Sequence, residues 1–326
     1  MKRQQWVKAL VLAVIVLVPT FYYVAIPAFV RSQTSQGTST YFVRGHESVK
    51  GAESCKTCHP RHYEQWSRSL HAKAYTSVHF AQRAEELSWG MPTEQCVFCH
   101  APLAAQGVPM EESITCEVCH GPGLTQAVVR DVCKGCHGQP LGETEPEPSA
   151  IMQSTPLEFE RSVAKRDGQT CPDCHMPKQG GMSFHGSKSS RVAPESYKGV
   201  VRVENIERRS SQIVVTVKNN VTGHWLPTGA ATNVIFLEVV GYDAKGQVAY
   251  QNEHRFEKSV FSFRKMPMAV TGDTRLKDNE KREVTFDVPM SVVRISATLT
   301  IKPRLLSGEA VEFVIDHRDT AIGLAG

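Results

Sequence analysis

All ten cysteines of this 326-residue chain belong to copies of one five-residue pattern. In that pattern two residues separate a pair of cysteines, and a histidine follows the second cysteine directly. The five copies are Cys55-Lys-Thr-Cys58-His59, Cys96-Val-Phe-Cys99-His100, Cys116-Glu-Val-Cys119-His120, Cys133-Lys-Gly-Cys136-His137 and Cys171-Pro-Asp-Cys174-His175. Two thiols and one imidazole within a single turn can hold the edge of a flat ligand and its central metal together.

The pattern Cys-x-x-Cys-His is the attachment signature of c-type haem. Its thiols form thioethers to the porphyrin, and the imidazole of the next residue ligates the iron from the proximal side. The sequence therefore predicts five covalently attached haem c groups, with proximal ligands His59, His100, His120, His137 and His175.

The main alternative is zinc, because 16 residues separate Cys99 from Cys116 and paired zinc ribbons have a spacing of about 15–20 residues. A zinc ribbon gives no reason for a histidine after each of five pairs, and a redox Cys-x-x-Cys site would use one pair in a βαβ unit. Haem is therefore favoured. Since all five motifs fall within residues 55–175, the core there should be largely porphyrin, with neighbouring haems close enough to exchange electrons.

Each haem iron also needs a sixth ligand or keeps an open position. Eight histidines lie outside the motifs: His46, His62, His71, His79, His185, His224, His254 and His317. His254 and His317 fall inside strand patterns, where a structural role is more common than ligation. His46, His62 and His79 stay open as distal ligands. Methionine is a further candidate for the sixth ligand, although its usual role is packing. The methionines considered are Met91, Met110, Met152 and Met182.

The N-terminal segment indicates export. Residues 9–30 carry no charge, and these 22 residues exceed the ~20 that a helix needs to cross a bilayer. Lys2, Arg3 and Lys8 precede this run, so the positive-inside rule places the N-terminus in the cytoplasm. We expect residues 1–30 to form an uncleaved transmembrane helix in the cytoplasmic membrane, with a removable signal peptide as the alternative. Residues 31–50 are then a polar linker, and the bulk of the chain faces the periplasm.

The rest of the chain divides into two predicted domains of an α+β multidomain protein. Residues 51–190 form a mostly helical or irregular haem domain, with helices expected at 60–86 and 155–166. The second helix would begin with a capping box from Thr155 to Glu158. Tyr63 and Trp66, one helical turn after the first motif, should pack on a haem face.

Residues 191–326 alternate β-branched residues, which is typical of an antiparallel β-sandwich of immunoglobulin-like size. Seven strands are predicted, at 200–207, 212–218, 233–242, 247–256, 281–287, 293–302 and 311–315, with a hairpin turn at 243–246. A formal net charge of +4, a pI near 8.5 and no stripe of Lys or Arg argue against nucleic acid as a partner.

Several stretches together resemble multihaem c-type cytochromes of bacteria and archaea over about residues 51–326. They are the first motif with Tyr63-Glu-Gln-Trp66 and Ser69-Leu-His-Ala72, then Cys116-Glu-Val-Cys-His-Gly-Pro122, Cys171-Pro-Asp-Cys-His-Met-Pro177, Gly223-His-Trp-Leu-Pro-Thr-Gly229 and Asp273-Thr-Arg-Leu276. The resemblance implies an exported electron carrier whose bis-histidine haems pack in close pairs. It also implies that His71, His185 and His224 are distal ligands, the last donated across the domain boundary.

Two related families fit less well. Small quinol-oxidising cytochromes share the single N-terminal anchor, but they are shorter and lack a long C-terminal β-domain. Pentahaem nitrite reductases typically replace the histidine of the catalytic motif by lysine, whereas all five motifs here end in histidine.

Electron transfer is the favoured function, from a membrane quinol oxidoreductase or a periplasmic donor in a respiratory chain to a redox partner protein. The alternative is a small multihaem reductase of nitrogen or sulfur oxyanions with one haem open to substrate. A third hypothesis, compatible with the first, is that the β-sandwich docks a membrane oxidoreductase complex. The sequence favours a carrier over an enzyme.

Overall fold

The computed structural model describes residues 50–87, 93–121, 132–138, 153–186, 194–229, 233–263, 266–302 and 311–322. The predicted anchor and linker lie outside these ranges, so their structure stays a prediction. Within these ranges, no helix combines the length and the apolar character that crossing a membrane requires.

Short helices build the region up to residue 186. They are α1 (Pro60–Ser67), α2 (Val78–Leu87), α3 (Thr93–His100), α4 (Cys116–His120), α5 (Val132–His137), α6 (Thr155–Glu160), α7 (Val163–Arg166) and α8 (Cys171–His175), with 3₁₀ turns at Ala52–Cys55, Ala104–Gln106 and Met110–Glu112. A two-residue ribbon follows, β1 (Lys178–Gln179) paired with β2 (Met182–Ser183). Among the described residues there, Leu103, Val108, Val118 and Val132 form a small buried apolar cluster.

The expectation of one helix over 60–86 is wrong, because the chain turns between α1 and α2. Ser69 is fully buried, and its hydroxyl accepts a hydrogen bond from the Ala72 N–H at 3.2 Å. A serine that bonds to nearby backbone competes with helix continuation. The break carries His71 into the interior, where its carbonyl accepts from the Ile114 N–H at 3.2 Å.

The expected helix over 155–166 is also divided, into α6 and α7. Ser162 begins the second piece, because its hydroxyl accepts from the Lys165 N–H. The predicted capping box is wrong as well. The residue that caps α6 is Ser154, and the Glu158 carboxylate instead binds the Arg275 guanidinium.

Eight strands form the C-terminal part, after a 3₁₀ turn at Pro194–Tyr197. They are β3 (Val201–Arg209), β4 (Gln212–Asn219), β5 (Val234–Tyr242), β6 (Val248–Phe263), β7 (Met266–Asp273), β8 (Lys281–Asp287), β9 (Arg294–Ile301) and β10 (Phe313–Ala321). All seven predicted strands are present, although β6 and β10 run beyond their predicted ends. The missed strand, β7, includes Pro267 and lies at a sheet edge, the position where a sheet tolerates proline.

The strands pair antiparallel in two sheets, with orders β10-β9-β5-β6-β7 and β3-β4-β8. Alternate residues of both sheets meet in one apolar core, with Ile213, Val215 and Val217 from one sheet and Ile235, Leu237 and Leu299 from the other. Two sheets that share a core in this way form a β-sandwich. The predicted turn between β5 and β6 forms, closed by the Gly246 N–H donating to the Asp243 carbonyl at 2.9 Å.

Candidate haem-binding centre

Each attachment motif forms a helical turn or lies directly before a helix. In the first motif the His59 N–H donates to the Cys55 carbonyl at 2.8 Å, which closes the turn. The fifth motif forms α8, whose start is set by Thr170, because its N–H and hydroxyl both donate to the Asp173 carboxylate at 2.7 and 2.6 Å. A turn of this kind places the second cysteine and the following histidine on adjacent faces of one segment.

The motifs lie against one another. Thiols from different motifs lie beside one another in three pairs, Cys55 with Cys116, Cys99 with Cys136, and Cys133 with Cys171. Burial raises the pKa of the Cys119 thiol to about 11. A zinc ribbon would bring the second and third motifs together, at Cys99 and Cys116. Cys99 instead contacts Cys136 of the fourth motif. Across the described ranges, no three His, Cys, Asp or Glu side chains converge on one ion site.

Glu117, inside the third motif, ties that motif to the first. Its buried carboxylate accepts the N–H groups of Lys50 and Gly51, both at 3.0 Å. Glu112 accepts the next N–H, from Ala52, at 2.5 Å. Two carboxylates thus satisfy the backbone donors in front of the first motif, which fixes its position against the third.

Three histidines outside the motifs each lie, across a similar gap, near a motif histidine that is distant in the sequence. The ring centres are 6.2 Å apart for His71 and His137, 6.1 Å for His120 and His185, and 6.2 Å for His175 and His224. A metal between two imidazoles needs bonds of about 2.0 Å, and each nitrogen lies about 1.1 Å from its ring centre, so the centres should be about 6 Å apart. The three gaps fit one iron each.

Burial suits these rings to ligation, because only a neutral imidazole binds a metal. Burial, with the nearby imidazoles of His137 and His175, lowers the pKa of His71 to about 4. Burial also lowers the pKa of His137, His185 and His224. These imidazoles are therefore neutral at neutral pH, the form that donates a lone pair to iron.

Backbone carbonyls determine which ring nitrogen of three histidines is free to bind a metal. The Nδ1 atoms of His100, His185 and His224 lie 2.6, 2.8 and 3.1 Å from the carbonyls of Ala74, Ser183 and Trp225. A carbonyl only accepts, so Nδ1 must carry the proton and Nε2 keeps its lone pair. This arrangement is the usual way in which a metal-binding histidine is oriented.

The other predicted ligands are placed as follows. His62 lies in α1, with its ring centre 5.8 Å from His59 and 4.6 Å from His185. His79 lies in α2. His254 packs against Phe256 in the β-sandwich. His317 lies in β10 and contacts Thr298 and Asp319. Met110 lies in a 3₁₀ turn and Met182 in β2. The other three candidates, His46, Met91 and Met152, lie outside the described residues.

Tyr63 and Trp66 have protein contacts that the sequence did not predict. The Tyr63 hydroxyl donates to the Glu53 carboxylate, and the Trp66 indole N–H donates to the Ile114 carbonyl at 2.7 Å. Trp66 therefore holds α1 against the segment that leads into the third motif. The sequence analysis also did not predict the role of Glu117. Its position between the two cysteines of the third motif was the only feature that pointed to that role.

The whole arrangement is similar to a solved structure. The chain matches a penta-heme cytochrome c552 from Thermochromatium tepidum with a TM-score of 0.62 and 21% identity, over 84% of this chain and 99% of that one. The family model for cytochrome c554 and c-prime matches residues 54–121, which hold the first three motifs. This likeness shows that the chain has the fold of that penta-heme cytochrome, and its first three motifs match a c-type cytochrome family.

Other similarities are weaker. The chain matches MtrC from Shewanella baltica at 13% identity over 71% of this chain and 44% of that one, with a TM-score of 0.18. It matches a glycoside hydrolase family 2 beta-glucuronidase at 14% identity over 38% of this chain and 12% of that one, also with a TM-score of 0.18. No curated protein sequence matches the chain.

Proposed function

We propose that the chain is a multihaem c-type cytochrome that carries five haem c groups and passes electrons between a membrane quinol-linked or periplasmic donor and a redox partner protein. The observation that carries this proposal is the set of three imidazole pairs whose ring centres are 6.1–6.2 Å apart. An iron with two imidazole ligands has no open position for a substrate. Three closed irons favour a carrier, because a reductase could then use only the site of His59 or the site of His100.

The ligand sets proposed are His137 with His71, His120 with His185, and His175 with His224. Bound haem would supply one-electron chemistry, while the chain supplies ligation, burial and spacing. The pKa values of His71, His185 and His224, lowered by burial, support neutral ligands. His59 and His100 are the proximal ligands of the other two sites, for which His46, His62 and His79 stay candidates.

Contacts between motifs support a route for electrons. The thiol pairs join the first motif to the third, the second to the fourth, and the fourth to the fifth. Cys119 of the third motif and Cys133 of the fourth pack on the same apolar cluster. The attachment sites thus follow one another as first, third, fourth and fifth, with the second beside the fourth. Neighbouring sites of this kind are what transfer between haems requires.

We also propose that residues 1–30 anchor the cytochrome in the cytoplasmic membrane and that the haem region faces the periplasm. The uncharged run at 9–30 and the three basic residues before it support this location. Fractionation tests it: the mature protein should be found in membranes with its N-terminal segment intact. A soluble product that begins near Ser32 would contradict the anchor.

The electron-transfer proposal is tested by two measurements on the purified holoprotein. The EPR spectrum of the fully oxidised protein should show only low-spin ferric haem, and the reduced protein should not bind carbon monoxide. A high-spin signal together with carbon monoxide binding at one haem would contradict a pure carrier. That result would instead support a reductase of nitrogen or sulfur oxyanions.

A further inference from the structure

A buried ion pair joins the haem region to the β-sandwich. Glu158 in α6 and Arg275, just after β7, expose 0% and 3% of their surface. Arg275 Nη1 donates to Glu158 Oε1 at 2.6 Å. Removing two charges from water is costly and is offset only when every partner is in place. A pair this deeply buried therefore holds its two segments in one relative position.

The second oxygen of Glu158 holds the loop that carries His224. Glu158 Oε2 accepts the Trp225 N–H at 3.2 Å and the Thr228 hydroxyl at 2.9 Å. Trp225 directly follows His224. One carboxylate thus fixes the loop immediately beside the imidazole that faces His175.

Arg275 clamps the same loop from the other side. Its guanidinium lies 5.1 Å from the centre of the Trp225 ring and donates to the Pro227 carbonyl at 3.3 Å. Asp273 orients the guanidinium through bonds of 2.9 Å to Nε and 2.8 Å to Nη2. Its neighbour Leu276 exchanges two backbone hydrogen bonds with the loop, at 2.8 and 2.9 Å. The loop is therefore held through side chains and backbone together.

Two further polar side chains hydrogen-bond to this buried network. The Ser154 hydroxyl donates to Glu158 Oε1 at 2.5 Å, and Lys258 Nζ donates to Ser154 at 2.8 Å. Two carboxylates, from Glu158 and Asp273, thereby face two cationic side chains, from Arg275 and Lys258. A network in which each member is bonded favours one geometry over looser alternatives.

We propose that Glu158 and Arg275 are positioning residues for the distal ligand of the fifth haem. They hold His224 against His175 at the separation that an iron between them requires. This inference rests on the proposed function, in which His224 ligates that iron. The β-sandwich then acts as part of the fifth haem site, and its attachment to the haem region determines the coordination of that haem.

Two variants of the full-length holoprotein test the positioning role. Glu158→Ala removes both acceptors of the loop. The double variant Glu158→Leu/Arg275→Met removes one charge of each sign, so the Asp273 carboxylate and the Lys258 ammonium that remain keep the network neutral overall. Each should keep all five haems attached, as measured by pyridine haemochrome absorbance. Each should shift or lose one fifth of the low-spin EPR intensity, which is the share of one haem.

Two further variants serve as controls. Glu158→Gln keeps an oxygen for the Trp225 N–H but turns an amide donor toward the Arg275 guanidinium, so it should disturb the same haem signal less than Glu158→Ala does. Glu283→Gln removes one charge from the exposed ion pair with Arg209, whose two bonds are both 2.8 Å, and should leave all five haems unchanged. A haem that responds to the Glu158 variants but not to Glu283→Gln indicates that His224 has moved, and not that a lost charge has a general effect.

The outcomes distinguish this inference from the proposal on which it rests. If His224→Met changes one haem but the double variant gives the wild-type spectrum with five haems attached, the positioning role is refuted and the ligation stands. If His224→Met also leaves every haem unchanged, the ligation itself has failed, and the positioning role falls with it.

Discussion

Methionine at the three proposed distal positions should change one haem in each variant, and a different haem each time. His71, His185 and His224 face three different motif histidines, all across 6.1–6.2 Å. Methionine can ligate iron through its thioether, and a His/Met pair has a higher reduction potential than a bis-histidine pair. In His71→Met, His185→Met and His224→Met we therefore expect five attached haems, four with unchanged potentials.

The expected magnitude follows from the number of sites and from the chemistry of the ligand. One haem in five means that about 20% of the α-band amplitude should move in a redox titration. Axial ligands span a range of about 0.8 V, so a single exchange should raise the potential on the order of 100 mV. For one electron, 59 mV is a tenfold change, so the equilibrium for reducing that haem should shift roughly 50-fold.

Combined variants should reveal which sites are neighbours. The imidazole of His175 contributes to the lowered pKa of His71, which indicates that the fourth and fifth sites interact. The double variant His71→Met/His224→Met should therefore deviate from the sum of its single variants. Contacting sites commonly deviate in this way, whereas distant ones add.

The assay is a spectroelectrochemical titration of each variant, with EPR of the oxidised form. His317→Met is the matched control, because His317 lies on the exposed strand β10 and contacts Thr298 and Asp319. It should leave all five potentials unchanged. Unchanged potentials in any of the three ligand variants, or two variants that alter the same haem, would refute the assigned ligand pairs.

Three further predictions concern stability. Glu117→Ala removes two buried charge-assisted hydrogen bonds and should cost about 2–4 kcal/mol, seen as a thermal midpoint lowered by roughly 5–10 °C. Gly51→Ala should destabilise more than Gly246→Ala, since both glycines have φ near +77° but only at Gly51 would a Cβ meet a carboxylate, at 2.5 Å. Burial, and next the charge of Arg275, lower the pKa of Lys258 to about 8 from 10.5. Because the unfolded chain binds more protons in that window, stability should rise from pH 8 to 10.5 in the wild type and stay flatter in Lys258→Met.

Each of these has a contradicting result. If Glu117→Ala and the exposed control Glu53→Ala unfold at the same temperature, the hydrogen bonds from Glu117 to the first motif contribute nothing to stability. Equal losses in the two glycine variants would assign the effect to backbone strain alone. A Lys258→Met variant with the wild-type pH slope would mean that another group titrates between pH 8 and 10.5.

Local patterns in the sequence were sufficient to predict most strands, and the alternation of apolar residues in β5 or β8 places one face of each strand in the core. A motif of five adjacent residues needs only one turn to form, so each proposed attachment site could be found in the sequence. The fold of a penta-heme cytochrome and the family match over residues 54–121 support the coarse prediction of a multihaem c-type cytochrome with a β-domain. The attachment residues, the membrane anchor, the haem count and the partner proteins stay predictions.

The helix predictions failed where a side chain bonds to a group other than the one that a continuous helix or a capping box would give it. The pattern of residues 60–86 is helical, yet the buried hydroxyl of Ser69 binds the Ala72 N–H and the chain turns. Glu158 has the spacing of a capping residue, but the Arg275 guanidinium, far along the chain, offers a stronger partner. Such competition depends on which segments meet in space, and spacing along the chain does not contain that information.

By itself, the sequence determined the five Cys-x-x-Cys-His motifs and the β-alternation, because both depend on neighbours along the chain, and it predicts haem as the group that the motifs hold. Only the tertiary structure decided which histidine faces which. His71, His185 and His224 meet His137, His120 and His175, and a buried network at Glu158 and Arg275 places the last of them. Those pairings join residues far apart in the chain, and they form because packing and the satisfaction of buried charges allow few other arrangements.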